Sequence, residues 1–209
     1  MISKTLIKFL IVVAVSLIPL FILDIMVLSE NDIYNYYISI LNSDSIDKII
    51  ESWKKWRWIS YPISIIFIFI KTLLVTSIIW IVVFISSHKK TFNEIWGITI
   101  WAQLVFAIKN YLLLAIAIFS PEFSLTDLQN FHPLSLASIF ERDTLPSYWL
   151  FIFQSLNLFE ILYWFTLAFL LSKLIKKNLN DGLKLTLSSY VPAFVLWLLA
   201  VTFFLITNS

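Results

Sequence analysis

The chain has 209 residues, 60% of them hydrophobic and 13% charged, and a mean hydropathy of +0.89; soluble domains carry roughly 25% charge, so the composition is that of an integral membrane protein. It contains no cysteine, which excludes a disulfide framework, a thiolate nucleophile and a cysteine-ligated metal. A net charge of +2 without a dense basic tract excludes nucleic acid as a partner. Only Gly97 and Gly182 are glycines, so 19 Phe, 9 Trp and 8 Tyr fill space that close helix crossings usually give to small residues.

In chain order, the first apolar run covers about Leu6 to Leu28 after Lys4 and Lys8. A cleaved signal peptide shares that pattern, with Val27 and Ser29 as small residues before the cut, but the length favours a retained first span kinked near Pro19. Residues 29–57 follow as a long loop whose second half is amphipathic. Ser43 is expected to cap a helix that places Ile46, Ile49, Ile50, Trp53 and Trp56 on one face, lying on lipid or offered to a partner. Asp44 with Lys48 and Glu51 with Lys55 stand four apart in the favourable order.

The second span runs from about Trp58 to Ser86 behind an aromatic belt of Trp56, Trp58 and Tyr61, and carries Lys71 near its centre. The third, about Ile95 to Phe119, holds Gln103, Lys109 and Asn110; Gln103 and Asn110 share a face with Ala107 that should meet other helices. In the loop 120–147, Ser124 and Asp127 have capping-box spacing, and Pro133 is expected in the first turn of a short helix with an apolar edge of Leu136, Ile139 and Phe140. The segment reads as surface or re-entrant helical turns. His132 lies near Glu122, Asp127, Glu141 and Asp143, but without metal-ligand spacing, so no metal or cofactor is expected.

The fourth span, Tyr148 to Ser172, bears Gln154, Asn157 and Glu160 at every third position, a polar seam along one side of a helix. A basic connector with Asp181-Gly182 as a turn leads to a fifth span, about Thr186 to Ile206, interrupted by Pro192. The expected fold is therefore all-α, a polytopic helix bundle of five transmembrane helices in one domain, with short amphipathic helices in two long outer loops. Eight Lys stand on the inner side if the N-terminus is cytoplasmic, against five basic residues on the outer side, Lys48, Lys54, Lys55, Arg57 and Arg142, so the expected orientation is N-in and C-out.

Asp24, Lys71, Lys109 and Glu160 are ionisable residues within spans. A lone charge there costs roughly 2.5–3.5 kcal/mol on insertion scales, so Glu160 is expected to pair with Lys109 or Lys71. The seam then reads either as a structural polar clasp or as a site coupling proton or substrate movement. No catalytic motif is present: there is no G-x-S-x-G, and both histidines, His88 and His132, fall in loops, so the chain is not expected to be an enzyme.

The stretches TFNEIWGITIWAQLVFAIKNYLLL, LSLASIF and LNLFEILYWFTLAFLLSKLI, in a five-span layout, resemble the Yip family of Rab-interacting membrane proteins and their bacterial relatives. The chain lacks the Asp-Leu-Tyr-Gly-Pro-like motif of the eukaryotic members, and Phe169, Leu170 and Leu171 stand where a glycine is common. The resemblance implies a small non-catalytic protein of the bacterial inner membrane, an accessory subunit docking on a larger membrane complex such as an ABC-type, MacB-like export system. Its partners would be the lipid bilayer and that membrane-protein subunit. The alternative is a small autonomous carrier using Lys71, Lys109 and Glu160.

Overall fold

A computed structural model describes residues 2–26, 29–120, 123–140 and 145–208. These residues are all-α: α1 (Ile2–Met26), α2 (Glu30–Tyr37), α3 (Ser43–Trp56), α4 (Ser60–Ile85), α5 (Phe92–Ala102), α6 (Leu104–Phe119), α7 (Leu125–Gln129), α8 (Ser147–Ser155), α9 (Leu158–Ile175) and α10 (Leu179–Thr207). Five helical runs are long and apolar enough to cross a membrane: Lys4–Ile25, Ser43–Ile85, Phe92–Phe119, Leu158–Ile175 and Leu179–Thr207. The shortest, with 18 residues, rises about 27 Å, close to the thickness of a bilayer core. The chain is a multi-pass membrane protein. α1 and α10 run unbroken through Pro19 and Pro192, a tolerance common in membrane helices. Val27, Glu122, Glu141, Arg142 and Asp143 lie outside the described residues.

The chain divides into two compact units. The first comprises Met1–Val12, Lys71–Phe106 and His132–Ser209. Its main element is the α9–α10 hairpin. The turn centres on Lys176, whose left-handed backbone (φ 57°, ψ 44°) ends α9, and the Lys177 N–H reaches back to the Ser172 carbonyl at 3.0 Å, a Schellman closure. Asn178 caps α10 by accepting from the Asp181 N–H at 3.0 Å. Gly182 thus lies inside α10 rather than in a turn, which corrects the sequence expectation. A Cβ there would stand 2.0 Å from the Ala168 carbonyl oxygen, so the glycine is what lets α10 touch the backbone of α9. Ser172, Thr186 and Ser189 are buried nearby, and their hydroxyls donate to carbonyls of their own helices. α4 and α5 are joined in the same unit by the Thr76 and Thr99 hydroxyls, 2.6 Å apart.

The expected fourth span is two helices. α8 stops at Ser155, Leu156 and Asn157 are non-helical, and α9 starts afresh. The backbone groups freed by that break are met by the preceding loop: the Leu136 N–H donates to the Leu156 carbonyl and the Leu158 N–H to the Leu134 carbonyl, both at 3.0 Å. Irregular backbone among membrane helices is stable only when satisfied in this way. The loop itself contains a 3-10 turn, Leu136–Ile139, which Pro133 precedes rather than opens. Leu136, Ile139 and Phe140 do form an exposed apolar edge.

The second unit comprises Val13–Ile70 and Ala107–Phe131. Here α2 is a helix within a segment for which the sequence predicts loop; Ser29 and Asp32 form a full capping box at its start. α2 folds against α3, burying Ile33 with Ile46 and Ile50, while Ile49 and Trp53 pack on the cluster. The α3 face expected on lipid is therefore largely covered by α2, and of its members Trp56 is the exposed one. Asn42, not Ser43, caps α3, accepting from the Ser45 N–H at 3.0 Å. The ion pair among the described residues is Lys54–Glu30 at 2.7 Å, between α3 and α2, in place of the intrahelical pairs expected for Lys48 and Lys55. Leu23, Leu113, Leu114 and Ala117 form a second cluster under Phe123 and Leu128, held in part by the predicted Ser124–Asp127 capping box.

Candidate intramembrane polar site

Within the first unit, Glu160 occupies the third position of α9, where the side-chain oxygen of the cap residue Asn157 accepts from the Glu160 N–H at 2.9 Å. The Asn157 amide in turn donates to the carbonyls of Gln154 and Ser155, tying the end of α8 to the start of α9. Gln154, Asn157 and Glu160 therefore do not form a seam along one helix. Asn157 is a helix cap, Gln154 contributes its backbone, and Glu160 sits in the first helical turn, where the helix dipole favours a negative charge.

The Glu160 side chain is 6% exposed, and its Oε1 accepts two hydrogen bonds, from the Tyr190 hydroxyl of α10 at 2.7 Å and from Trp164 Nε1 one turn along α9 at 2.9 Å. Tyr190 is packed edge-on against Tyr163, with ring centroids 5.2 Å apart, and Tyr163 lies 4.9 Å from Phe106. Lys71 completes the group: its Nζ stands 3.5 Å from the centre of the Phe106 ring and 5.3 Å from that of Tyr163. Glu160 and Lys71 form no salt bridge among the described residues. The cation is instead held on aromatic faces, a stabilisation that gains strength when water is excluded. The expected direct ion pair is thus replaced by a carboxylate with two neutral donors and an ammonium with two rings.

Three buried polar side-chain atoms of this unit lack a hydrogen-bond partner among the described residues, the Tyr163 hydroxyl, Gln103 Oε1 and the Thr202 hydroxyl. Gln103 marks the break between α5 and α6, so the third apolar run is interrupted where one continuous helix was expected. Lys109 and Asn110 belong to the second unit. There the Asn110 amide donates to the Ser16 carbonyl at 3.3 Å, and Lys109 is half-buried without an ion pair among the described residues. Asp24, also in that unit, accepts from the Tyr61 hydroxyl at 2.6 Å. The His132 carbonyl accepts from Ser135; no group of three metal-ligating side chains converges among the described residues.

Tyr190, Trp164, Tyr163 and Phe106 escaped the sequence reading because aromatic residues fill every span of this chain. A signal for Asn157 was present: Asn157-x-x-Glu160 ahead of an apolar run is the pattern of a helix start. No protein-family model, curated protein or solved structure matches the chain.

Proposed function

We propose that the chain is a non-catalytic membrane subunit, N-terminus cytoplasmic, that docks on a larger membrane complex of the bacterial inner membrane, an ABC-type export system being the partner class to test first. The observation that supports this reading is the state of Glu160. Its Oε1 is engaged by two side chains of the same hairpin, as in a clasp that fixes α9 against α10 rather than a group waiting for a ligand. Isolation of the full chain from native membranes tests it: stoichiometric co-purification with an ATPase-bearing permease is the expected result, and a lone species would contradict it.

A carrier that uses Lys71, Lys109 and Glu160 is the second reading, supported by the break at Leu156–Asn157 and by the unpaired hydroxyl of Tyr163, whose ring centre stands 5.3 Å from Lys71 Nζ, since interrupted helices and intramembrane charges mark substrate paths in transporters. Reconstitution in liposomes separates the two, because flux of an ion or substrate by the purified chain alone belongs to the carrier.

A further inference from the structure

The α3–α4 junction reads Trp53-Lys54-Lys55-Trp56-Arg57-Trp58. Of its three cations, Lys54 is engaged by Glu30. The Arg57 guanidinium lies 5.0 Å from the centre of the Trp53 ring and Lys55 Nζ 5.5 Å from that of Trp56. Stacking occupies the face of a guanidinium and leaves its in-plane N–H edge free, the edge that matches a phosphate with two parallel hydrogen bonds. Neither Lys55 nor Arg57 has an ion pair among the described residues, and the carboxylate of Asp24 is taken by Tyr61.

The depth of this group follows from what comes next. α4 is a 26-residue apolar helix that rises about 39 Å, enough to fill the bilayer core and place its leading residues at headgroup level. Trp56 and Trp58 are 51% and 58% exposed, as amphipathic rings at that level are. Below them Ile63, Ile66 and Phe67 continue the exposed surface without a polar break. A ligand seated here meets two cations at its head and an apolar strip beneath. We propose that Lys55 and Arg57 bind the phosphate of an anionic phospholipid whose acyl chains lie along this face of α4.

Native mass spectrometry of the purified, delipidated full-length protein tests the proposal, with phosphatidylglycerol and phosphatidylcholine of matched chains as probes. The wild type should retain phosphatidylglycerol in preference, and K55Q or R57Q should lower that preference about fivefold each, the double variant about thirtyfold. R57K should recover part of it, since the charge returns without the fork. K54Q, which removes a cation already paired, should leave it unchanged. Equal retention of both lipids by the wild type would overturn the site, as would an unchanged preference in the folded double variant. Loss in K54Q equal to that in R57Q would also overturn it, showing a diffuse field instead of a bound headgroup.

Discussion

Three things together hold the Glu160 side chain among apolar helices: the first turn of α9, the Tyr190 hydroxyl and the Trp164 indole. Removing the acceptor is worse than weakening it. Glu160→Leu leaves the buried Tyr190 hydroxyl and the half-buried Trp164 indole without their acceptor, a loss of about 1–3 kcal/mol per donor in water-soluble proteins and nearer 0.6 kcal/mol for side-chain bonds between membrane helices. We expect thermal unfolding in detergent to show a loss of about 1–4 kcal/mol for Glu160→Leu. Glu160→Gln keeps an acceptor oxygen and should lose about 1 kcal/mol or less. Equal losses for the two variants would mean that charge, not acceptance, is what α9 requires. Asp127 offers a pH test outside the spans. Its carboxylate accepts from the Ser124 hydroxyl and N–H, which hold its pKa below the usual value. With the folded pKa below the unfolded one, the stabilisation is present above the ordinary carboxylate pKa, about 4, and is lost as pH falls through the lowered folded value. Asp127→Ala should therefore destabilise the protein near neutral pH, and its difference from wild type should shrink on acidification; a gap constant with pH would exclude this role.

Among the elements, the α9–α10 hairpin is closely packed at Gly182, and substitution there should differ in a measurable way from substitution at Gly97 of α5. In Gly182→Ala the added methyl meets the backbone oxygen of Ala168 at 2.0 Å, which cannot move aside without separating the helices, so a loss at the upper end of the usual 1–3 kcal/mol for overpacking, about 3 kcal/mol, is expected. In Gly97→Ala it meets Lys8 Nζ at 3.3 Å, the tip of a flexible side chain, and the gain of up to about 1 kcal/mol in helix propensity should leave that variant neutral or more stable. Thermal unfolding of the pair checks both, and a neutral Gly182→Ala would show that the hairpin packs less closely than described. The same elements show what the sequence could convey. Apolar runs make the existence of five spans legible in the sequence, but not their limits: the fourth is expected from Tyr148 and its long helix starts at Leu158, the fifth from Thr186 and its helix starts at Leu179; Ser124-x-x-Asp127 announced its own capping box. The break at Leu156–Asn157 could not be found from hydropathy, because apolar residues continue on both sides and neither Gly nor Pro punctuates it; it depends on backbone bonds from Leu136 to Leu156 and from Leu158 to Leu134, between segments distant in sequence. α2 was hidden for the opposite reason: ENDIYNYY has little apolar periodicity of its own, and its one buried residue, Ile33, is buried by α3.

For the whole molecule, hydropathy decided the class, and five runs long enough to cross a membrane follow from it. The candidate site was legible only in part. Glu160 and Lys71 stood out as charges among apolar residues, whereas the aromatic groups that separate and satisfy them lie on α6, α9 and α10 and come together only in the folded chain. Charge count and capping spacing are properties of neighbours in sequence; an acceptor shared by Tyr190 and Trp164 is not. In the proposed docking subunit this polar group fastens helices and binds no cargo. Isolation of the wild type and Glu160→Gln from native membranes in mild detergent, identification of what accompanies each, and assay of both in liposomes bear on that proposal together. As a docking subunit, the chain should co-purify in both forms in fixed stoichiometry with an ATPase-bearing permease and carry no flux alone. A wild-type protein that is isolated by itself and conducts an ion or substrate, with conduction abolished in a normally folded Glu160→Gln, would contradict the proposal.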